Sequence, residues 1–203
     1  MDSVLPTKTN LMKIKSSIEL SKQGQDLLEK KRIILIQEKE KNEKRAEDLR
    51  NQLKDVKEKA FLYLKQTNVE IGIEETNYIA KGIQLDDNID IKYMTIMGVD
   101  IPSIVYEQPE KEMNYGIAQT PVYLDQAIEE FNNLKKIIIE LVGLESTIKR
   151  LDFNILKVQK RSNALKEIII PRDQKIEKTI SDALDERERE EFSRLKVVKE
   201  KIQ

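Results

Sequence analysis

The residue spacing between Leu134 and Ile169 constrains the fold of this chain more than any other feature of its sequence. Steps of three and four residues select eleven positions there, and ten of them are apolar, with Ser162 as the polar exception. An apolar seam that repeats over about five heptads specifies a left-handed coiled coil. The spacing therefore predicts a long helix after Pro121 that packs against another helix. The eleven positions are Leu134, Ile137, Leu141, Leu144, Ile148, Leu151, Ile155, Val158, Ser162, Leu165 and Ile169.

Proline placement predicts a second long helix near the N-terminus. No proline follows Pro6 until Pro102, so a helix is expected from Pro6 to about Thr67. Its apolar stripe is interrupted at Gln37–Arg45, where no residue is apolar. In the C-terminal helix, Pro171 removes one backbone donor and is expected to kink the helix without ending it.

The middle of the chain differs from both ends because glycine and proline concentrate there. Four of the six glycines lie between residues 72 and 116. Polar and apolar residues alternate from Ile89, which predicts a β-hairpin over about residues 89–106 that turns at Met97, Gly98 and Val99. Pro102 is compatible with this hairpin only if its strand is an edge strand.

These patterns predict a fold dominated by α-helix. We expect a long antiparallel two-helix coiled coil made of the N-terminal and C-terminal helices, with a small middle region that contains the hairpin. The three segments are 1–67, 68–121 with a short helix besides the hairpin, and 122–203 with a kink near Pro171.

A pairing register follows if the C-terminus lies beside Thr7. Residue i then faces roughly position 210 − i, since both helices rise equally per residue. Gln37–Arg45 would lie opposite residues 163–171, so that two irregular stretches coincide. This level is either a neck where a partner supplies the missing burial, or a solvated stretch held by salt bridges. The pattern leaves both alternatives open.

Composition excludes several classes of function. The chain has 203 residues with 36 Lys+Arg, 37 Asp+Glu, no His and no Cys. A thiol nucleophile, a histidine base, a disulfide framework and an ordinary zinc site are therefore excluded. The net charge of −1 argues against nucleic acid as a partner, because phosphate neutralisation needs a basic surplus. No apolar run reaches the roughly 18 residues that cross a bilayer, so no direct membrane insertion is expected.

No residue cluster in the sequence suggests catalysis or a cofactor. The chain lacks the GxxxxGK[ST] loop and the GxGxxG motif that bind nucleotide phosphates. Asp185–Glu191 interleaves carboxylates with arginines, which is typical of a solvated helix face. Asp86-Asp87-Asn88 lacks the glycine and the terminal glutamate of an EF-hand, which favours a turn before the hairpin over a cation site.

Three groups of residues form an ordered pattern along the chain. Together they resemble the D subunit of V-type and archaeal-type (A-type) rotary ATPases and ATP synthases, and the resemblance covers nearly the whole chain. The chain departs from the family pattern at Ser162, Lys166 and Ile33, which bears on local packing. The segments are Pro6–Lys15 with Gly24 and Leu27–Arg32, then Met97–Pro102, and finally Lys160–Leu165, Ile170-Pro171 and Thr179–Lys196.

The resemblance implies a non-catalytic central-stalk subunit, the rotor shaft that transmits torque between ATP hydrolysis or synthesis and ion translocation by the membrane ring. The implied partners are the hexamer of catalytic A and B subunits, the central-stalk F subunit and a funnel-shaped adaptor on the membrane ring. The location it implies is cytoplasmic and peripheral to the membrane. A prefoldin-like coiled-coil chaperone or scaffold is the alternative, because it also has a helix–hairpin–helix order.

Three sets of residues are the candidate sites of this rotor. The first set would face the A and B subunits, the second belongs to the shaft and its neck, and the third forms the hairpin turn. In that order the sets are Lys8, Lys13, Lys15, Arg187, Arg189, Arg194 and Lys196; Arg161, Asn163 and Pro171; and Met97, Gly98 and Val99.

Overall fold

The computed structural model of the chain describes residues 5–83, 88–106 and 121–202, with Ile202 described by its backbone only. It confirms the predicted fold class: long N-terminal and C-terminal helices, with a two-stranded antiparallel hairpin between them in the sequence. The elements in chain order are α1 (Lys8–Ile71), α2 (Ile73–Gly82), β1 (Ile89–Ile96), β2 (Val99–Tyr106), α3 (Val122–Ala164), a π-helical turn (Leu165–Ile169) and α4 (Ile170–Ile202).

Local hydrogen bonds set both ends of α1. At its start the Asn10 amide donates to Thr7 Oγ1 at 3.2 Å, which is the capping role that a threonine takes before a helix. At its end Gly72 adopts a φ of +89°, which favours glycine, and separates α1 from α2. The helix thus runs four residues past the predicted end at Thr67 because the first residue suited to break it is Gly72.

The chain divides into two compact units, which are described separately. One comprises residues 1–34 and 155–203, and the other comprises residues 35–154. In the first unit the buried apolar side chains of α1 and of the C-terminal helices include Ile18, Val158, Ile170 and Ile180. In the second unit the apolar seam between α1 and α3 has buried members on both sides of the polar stretch Gln37–Arg45. They are Leu35, Ala46, Leu49, Ala60, Leu124, Ala127 and Leu151.

The predicted hairpin is present, and its turn explains its position. Met97 and Gly98 form a two-residue loop with φ values of +50° and +72°. Positive φ at both loop residues belongs to a turn whose twist matches that of the flanking strands. Ile96 pairs with Val99 across the loop, and Tyr93 pairs with Pro102. Hydrogen-bonded pairs alternate with non-hydrogen-bonded ones from the loop outward, so Pro102 occupies a site that needs no N–H.

The hairpin packs on α3 through β2. A Cβ added to Gly143 would lie 3.4 Å from Cγ1 of Ile104, so this glycine lets the strand approach the helix closely. The Arg150 guanidinium donates to the Asp100 carbonyl at 3.0 Å and stacks on the Tyr93 ring at 5.3 Å. These contacts provide the support that a hairpin, only marginally stable alone, requires.

The pairing register expected from the sequence is wrong. In the first unit Ser17 Oγ lies 3.5 Å from Asp173 Oδ2, and in the second Lys39 Nζ lies 2.7 Å from Asp152 Oδ1. Residue i therefore faces about position 191 − i, some 19 residues from the expected position. The expectation aligned the two chain termini. The observed register instead places the end of α1 opposite the start of α3, and the middle region connects these two ends. As a result, α4 continues beyond the residue that faces the start of α1.

The polar stretch of α1 consequently has a different neighbour from the one expected. Lys39 pairs with Asp152, and Arg45 pairs with Glu140, so Gln37–Arg45 does not face residues 163–171. The prediction of a neck assumed that the two irregular stretches lie opposite each other, and they do not. Most side chains of Gln37–Arg45 are exposed, and five of its residues form ion pairs, so the solvated, salt-bridged alternative fits this stretch.

A π-helical turn connects α3 to α4 immediately before Pro171. The Ile170 amide donates to the Leu165 carbonyl, five residues back, and Pro171 has no amide hydrogen to donate. Helical backbone continues through the proline. The seam positions step by three or four residues up to the partly buried Leu165, then by five to the buried Ile170, and then by three to the buried Asp173. Ile170, rather than the predicted Ile169, is the buried seam residue here.

Candidate functional site

The described residues offer surfaces for partners rather than an enclosed site for a substrate. Among residues 5–83, 88–106 and 121–202, no group of three or more His, Cys, Asp or Glu side chains could hold a metal ion. A large open groove runs along α1 and is lined by Glu43, Ala46, Arg50 and Ile148 with their neighbours. Since its acidic residues are exposed and open to water, the groove provides no setting for general acid–base chemistry.

The end of α4 is exposed over its whole described length. All described side chains from Asp185 to Lys201 are exposed. Phe192, Leu195 and Val198 follow each other at steps of three and are 72%, 67% and 52% exposed. The apolar seam therefore continues along α4 into a region where no residue of α1 covers it. Uncovered apolar side chains in a row are typical of a surface that a partner covers.

Two lysines of the set predicted to face the A and B subunits form ion pairs with α4. Lys8 Nζ lies 2.8 Å from Glu188 Oε1, and Lys15 Nζ lies 3.9 Å from Glu177 Oε1. The hydrogen bond and the charge of Glu188 raise the pKa of Lys8, and the same contact lowers the pKa of Glu188. Both side chains of the Lys8–Glu188 pair are largely exposed, so the pair aligns the helix ends more than it stabilises them.

The remaining residues of that set divide into two groups. Arg187 donates to the Pro6 carbonyl at 3.3 Å and so belongs with the contacts between the helix ends. Arg189 and Arg194 make ion pairs within α4, with Glu186 and Glu190 respectively, at 3.6 and 3.8 Å. Lys13 and Lys196 are exposed.

The shaft and neck residues lie around the π-helical turn. Arg161 and Asn163 are exposed, Ser162 between them is buried, and Pro171 is partly buried. Ser162 hydrogen-bonds the Glu29 carboxylate, and Arg32 lowers the pKa of that carboxyl group through a closer hydrogen bond. The polar residue within the apolar seam is thus satisfied by α1.

Sequence reasoning did not identify the second polar layer of the seam. Asp173 is 8% exposed, accepts from Ser17 and is bound by Arg172 Nε at 3.0 Å. A signal was present, because Asp173 follows Ile169 at the seam spacing and is the wrong residue type for an apolar position. Arg150 and Gly143, which hold the hairpin, were also missed; a glycine in mid-helix was the available signal for close approach.

The hairpin turn residues lie at the end of an exposed strand. Met97 and Gly98 are exposed and Val99, the first residue of β2, is 3% exposed. Most of β1 is exposed, whereas Val99, Ile101 and Pro102 of β2 are buried. Turn and outer strand together form the accessible part of the hairpin.

Comparison with known proteins gives matches to one family over nearly the whole chain. The sequence profile of the ATP synthase D subunit matches residues 10–200. The D subunit of the V-type ATP synthase of Thermotoga neapolitana is 37% identical over 200 residues, which cover 98% of each chain. The D subunit of the A-type ATP synthase of Pyrococcus horikoshii is 38% identical, covering 97% of this chain and 93% of the relative. That of Methanopyrus kandleri is 36% identical over 208 residues. None of the described helices is long and apolar enough to span a membrane.

Proposed function

The chain belongs to the D-subunit family of ATP synthases, and from this premise we propose that it is the rotor shaft of a V-type or A-type ATP synthase. It carries no active site of its own. It transmits torque between ATP hydrolysis or synthesis in the hexamer of A and B subunits and ion translocation by the membrane ring. The proposed location is cytoplasmic, peripheral to the membrane. The observation that carries the proposal is the family match over nearly the whole chain.

The packing of the helices supports a mechanical role. A shaft must resist sliding of one helix along the other, and buried seam side chains such as Leu35 and Leu151, both 0% exposed, oppose this in the second unit. Ion pairs across the seam favour one alignment of the two helices but add little stability, since an exposed pair contributes at most about 1 kcal/mol. Arg50–Glu145 at 2.7 Å is one such pair.

The charge distribution suits a body that turns inside its partners. The chain has nearly equal numbers of basic and acidic residues, and its helices carry them interspersed. A surface of mixed charge gives no single angular position a dominant electrostatic attraction. Rotation against a surrounding ring is then not arrested at one orientation.

The proposed partners follow from the family and from the exposed surfaces. The A and B subunits would surround the helix ends, where Lys13, Arg189, Arg194 and Lys196 are exposed beside the uncovered apolar row of α4. Lys8, Lys15 and Arg187 would act there indirectly, by holding the two helix ends together. The F subunit would bind the side of the shaft, and the funnel-shaped adaptor would bind the end opposite to the A and B subunits.

Reconstitution tests this proposal. The chain is combined with a nucleotide-hydrolysing A/B hexamer, its F subunit and the membrane part, and coupled ATPase activity is measured. Reversal of charge at Arg187, Arg189, Arg194 and Lys196 together is expected to reduce the coupled rate. The control reverses four exposed lysines of α1, at Lys44, Lys54, Lys57 and Lys59. An unchanged coupled rate would reject these contacts, and failure to associate with any A/B hexamer would reject the rotor.

The chaperone alternative is favoured by one observation, the exposed apolar row of Phe192, Leu195 and Val198 at a helix end. Prefoldin-like arms hold unfolded clients by such residues. Suppression of aggregation of an unfolding client protein by the isolated chain, lost in a variant with these three residues changed to Ser, would support the chaperone. Co-purification with the A/B hexamer and no such suppression would support the rotor.

A further inference from the structure

Strand β1 is the more exposed strand of the hairpin, and no described strand pairs with its outer edge. Among the described residues it pairs with β2 alone, and β2 packs on α3 through Ile104 and Gly143. Its apolar side chains remain accessible: Ile89, Ile91, Tyr93 and Met94 are 46%, 51%, 61% and 58% exposed. An exposed edge strand with apolar side chains is a template for pairing with another strand.

The hairpin geometry determines which backbone groups are available at that edge. Ile96 and Val99 flank a two-residue loop and form a hydrogen-bonded pair, so the pairs alternate from there along the strand. Even-numbered residues of β1 bond to β2. The N–H and C=O groups of Ile89, Ile91, Tyr93 and Thr95 point outward instead.

We propose that this edge binds the same edge of a second copy of the chain, antiparallel and centred on Ile91. Ile91 then lies opposite Ile91 of the second copy, and Ile89 opposite Tyr93. All three resulting pairs use residues whose backbone groups point outward. Asp90 lies opposite Lys92 in both halves, at the non-hydrogen-bonded positions where side chains approach most closely. The two hairpins become one four-stranded antiparallel sheet.

Charge selects this register over its neighbours. Moving the centre by one residue toward Asp90 would place Asp90 opposite Asp90, and moving it toward Lys92 would place Lys92 opposite Lys92. Like charges directly across an antiparallel pair are destabilising, whereas opposite charges are favourable. Within one chain Asp90 and Lys92 are 3.8 Å apart and both largely exposed. They are therefore available to form an alternating group of four charges in the pair.

This self-association goes beyond the proposed rotor function, and it concerns the chain outside its complex. Strand pairing alone makes a small interface, well below the roughly 1,200 Å² of a standard stable complex. The dimer is accordingly weak, with a dissociation constant of about 100 μM. It would hold free chains with their hairpin edges covered, and it would dissociate on dilution.

Sedimentation velocity of the full chain from about 20 to 500 μM measures this association, the range being set by the expected affinity. The wild type is expected to pass from monomer to dimer. Asp90→Lys and Lys92→Asp each turn two attractive pairs into two repulsive ones and are expected to weaken the dimer about tenfold or more. Asp48→Lys, an exposed residue of α1, is the control for charge and should dimerise like the wild type.

Mixing the two variants decides whether the charges act between chains. An equimolar mixture of Asp90→Lys and Lys92→Asp brings two positive charges opposite two negative ones, so a heterodimer is expected to form. The double variant Asp90→Lys with Lys92→Asp should recover the homodimer. Loss of the ion pair inside each chain cannot explain recovery on mixing, because mixing leaves it broken. A monomeric wild type at 500 μM, or a dimer that neither single variant weakens, would overturn the proposal.

Discussion

Engineered disulfides provide the sharpest test of how the two helices pair. Ser17 and Asp173 have side chains in contact at 3.5 Å, so cysteines at these two positions are expected to form a bond on oxidation. In the end-aligned register, Ser17 would instead face about residue 193, which is 20 residues from Asp173. At 1.5 Å per residue the two positions would be about 30 Å apart. A disulfide needs Cα atoms within about 7 Å, so the two registers give opposite results.

The comparison pair is Ile14→Cys with Leu195→Cys, which the end-aligned register brings together. In the structure Lys15 contacts Glu177, so Leu195 lies about 18 residues, or roughly 27 Å, from the residue that faces Ile14. This pair is expected to stay reduced. Because the chain has no native cysteine, each disulfide comes from the introduced pair alone.

The assay is oxidation of each variant at low protein concentration, followed by non-reducing gel electrophoresis and peptide mass spectrometry. Since Asp173 is a buried polar residue, its replacement could disturb the seam, and Gly24→Cys with Leu165→Cys is a second pair that avoids it. A Cβ at Gly24 would lie 4.0 Å from Cδ1 of Leu165. A bond between residues 14 and 195, with none in either other pair, would refute the register and the contacts derived from it.

Three further predictions concern stability, the turn and one ion pair. Leu151→Ala should reduce the free energy of unfolding by about 2–5 kcal/mol in urea titrations, because it leaves a cavity in the seam. The control is Leu156→Ala, at a 56% exposed position, which should reduce the free energy of unfolding by under about 0.5 kcal/mol. Gly98→Val places a β-branched residue at a φ of +72° and should increase amide exchange in the hairpin while the helical circular dichroism signal is kept. Lys8→Gln should raise the pKa of Glu188 toward its ordinary value in an NMR titration. In the wild type the lowered pKa means that the pair contributes above the ordinary carboxyl pKa and is lost as pH falls through the folded value. Equal unfolding energies for the two leucine variants, unchanged exchange, or an unmoved pKa would contradict the respective prediction.

Local patterns in the sequence were sufficient for the elements themselves. The heptads from Leu134 onward predict a helix because burial on one face requires that spacing, and the hairpin follows from period-two alternation on either side of Gly98. In each case the physical constraint acts within a few residues. The end of α1 was missed by four residues because Gly72, rather than a change in periodicity, ends the helix.

Pairing between distant residues was beyond the same reasoning. Equal rise per residue fixes how the register runs along two antiparallel helices but not where it starts, and the start depends on the middle region. The π-helical turn was hidden for another reason. Ile168, Ile169 and Ile170 are three consecutive apolar residues, so a four-residue and a five-residue step from Leu165 look the same in sequence.

The partner-facing roles of the candidate residues stay predictions, but the structure adds contacts that the sequence did not indicate. Lys8 and Arg187 belong to the set that the resemblance implies, and in the structure both make contacts between the helix ends. Asp173 was overlooked because an acidic residue in a helix rich in carboxylates attracts no notice until its burial is known.

The five-residue step at Leu165–Ile170 means that the C-terminal helical region carries one residue in surplus. If Glu167 were deleted, the seam positions Val158, Ser162, Leu165, Ile170, Asp173, Ile176 and Ile180 would be separated only by steps of three or four residues. With Glu167 present, the seam positions of α4 are displaced by one residue from those that the spacing in α3 predicts. The seam positions of α3 and α4 must therefore be counted separately on either side of the π-helical turn.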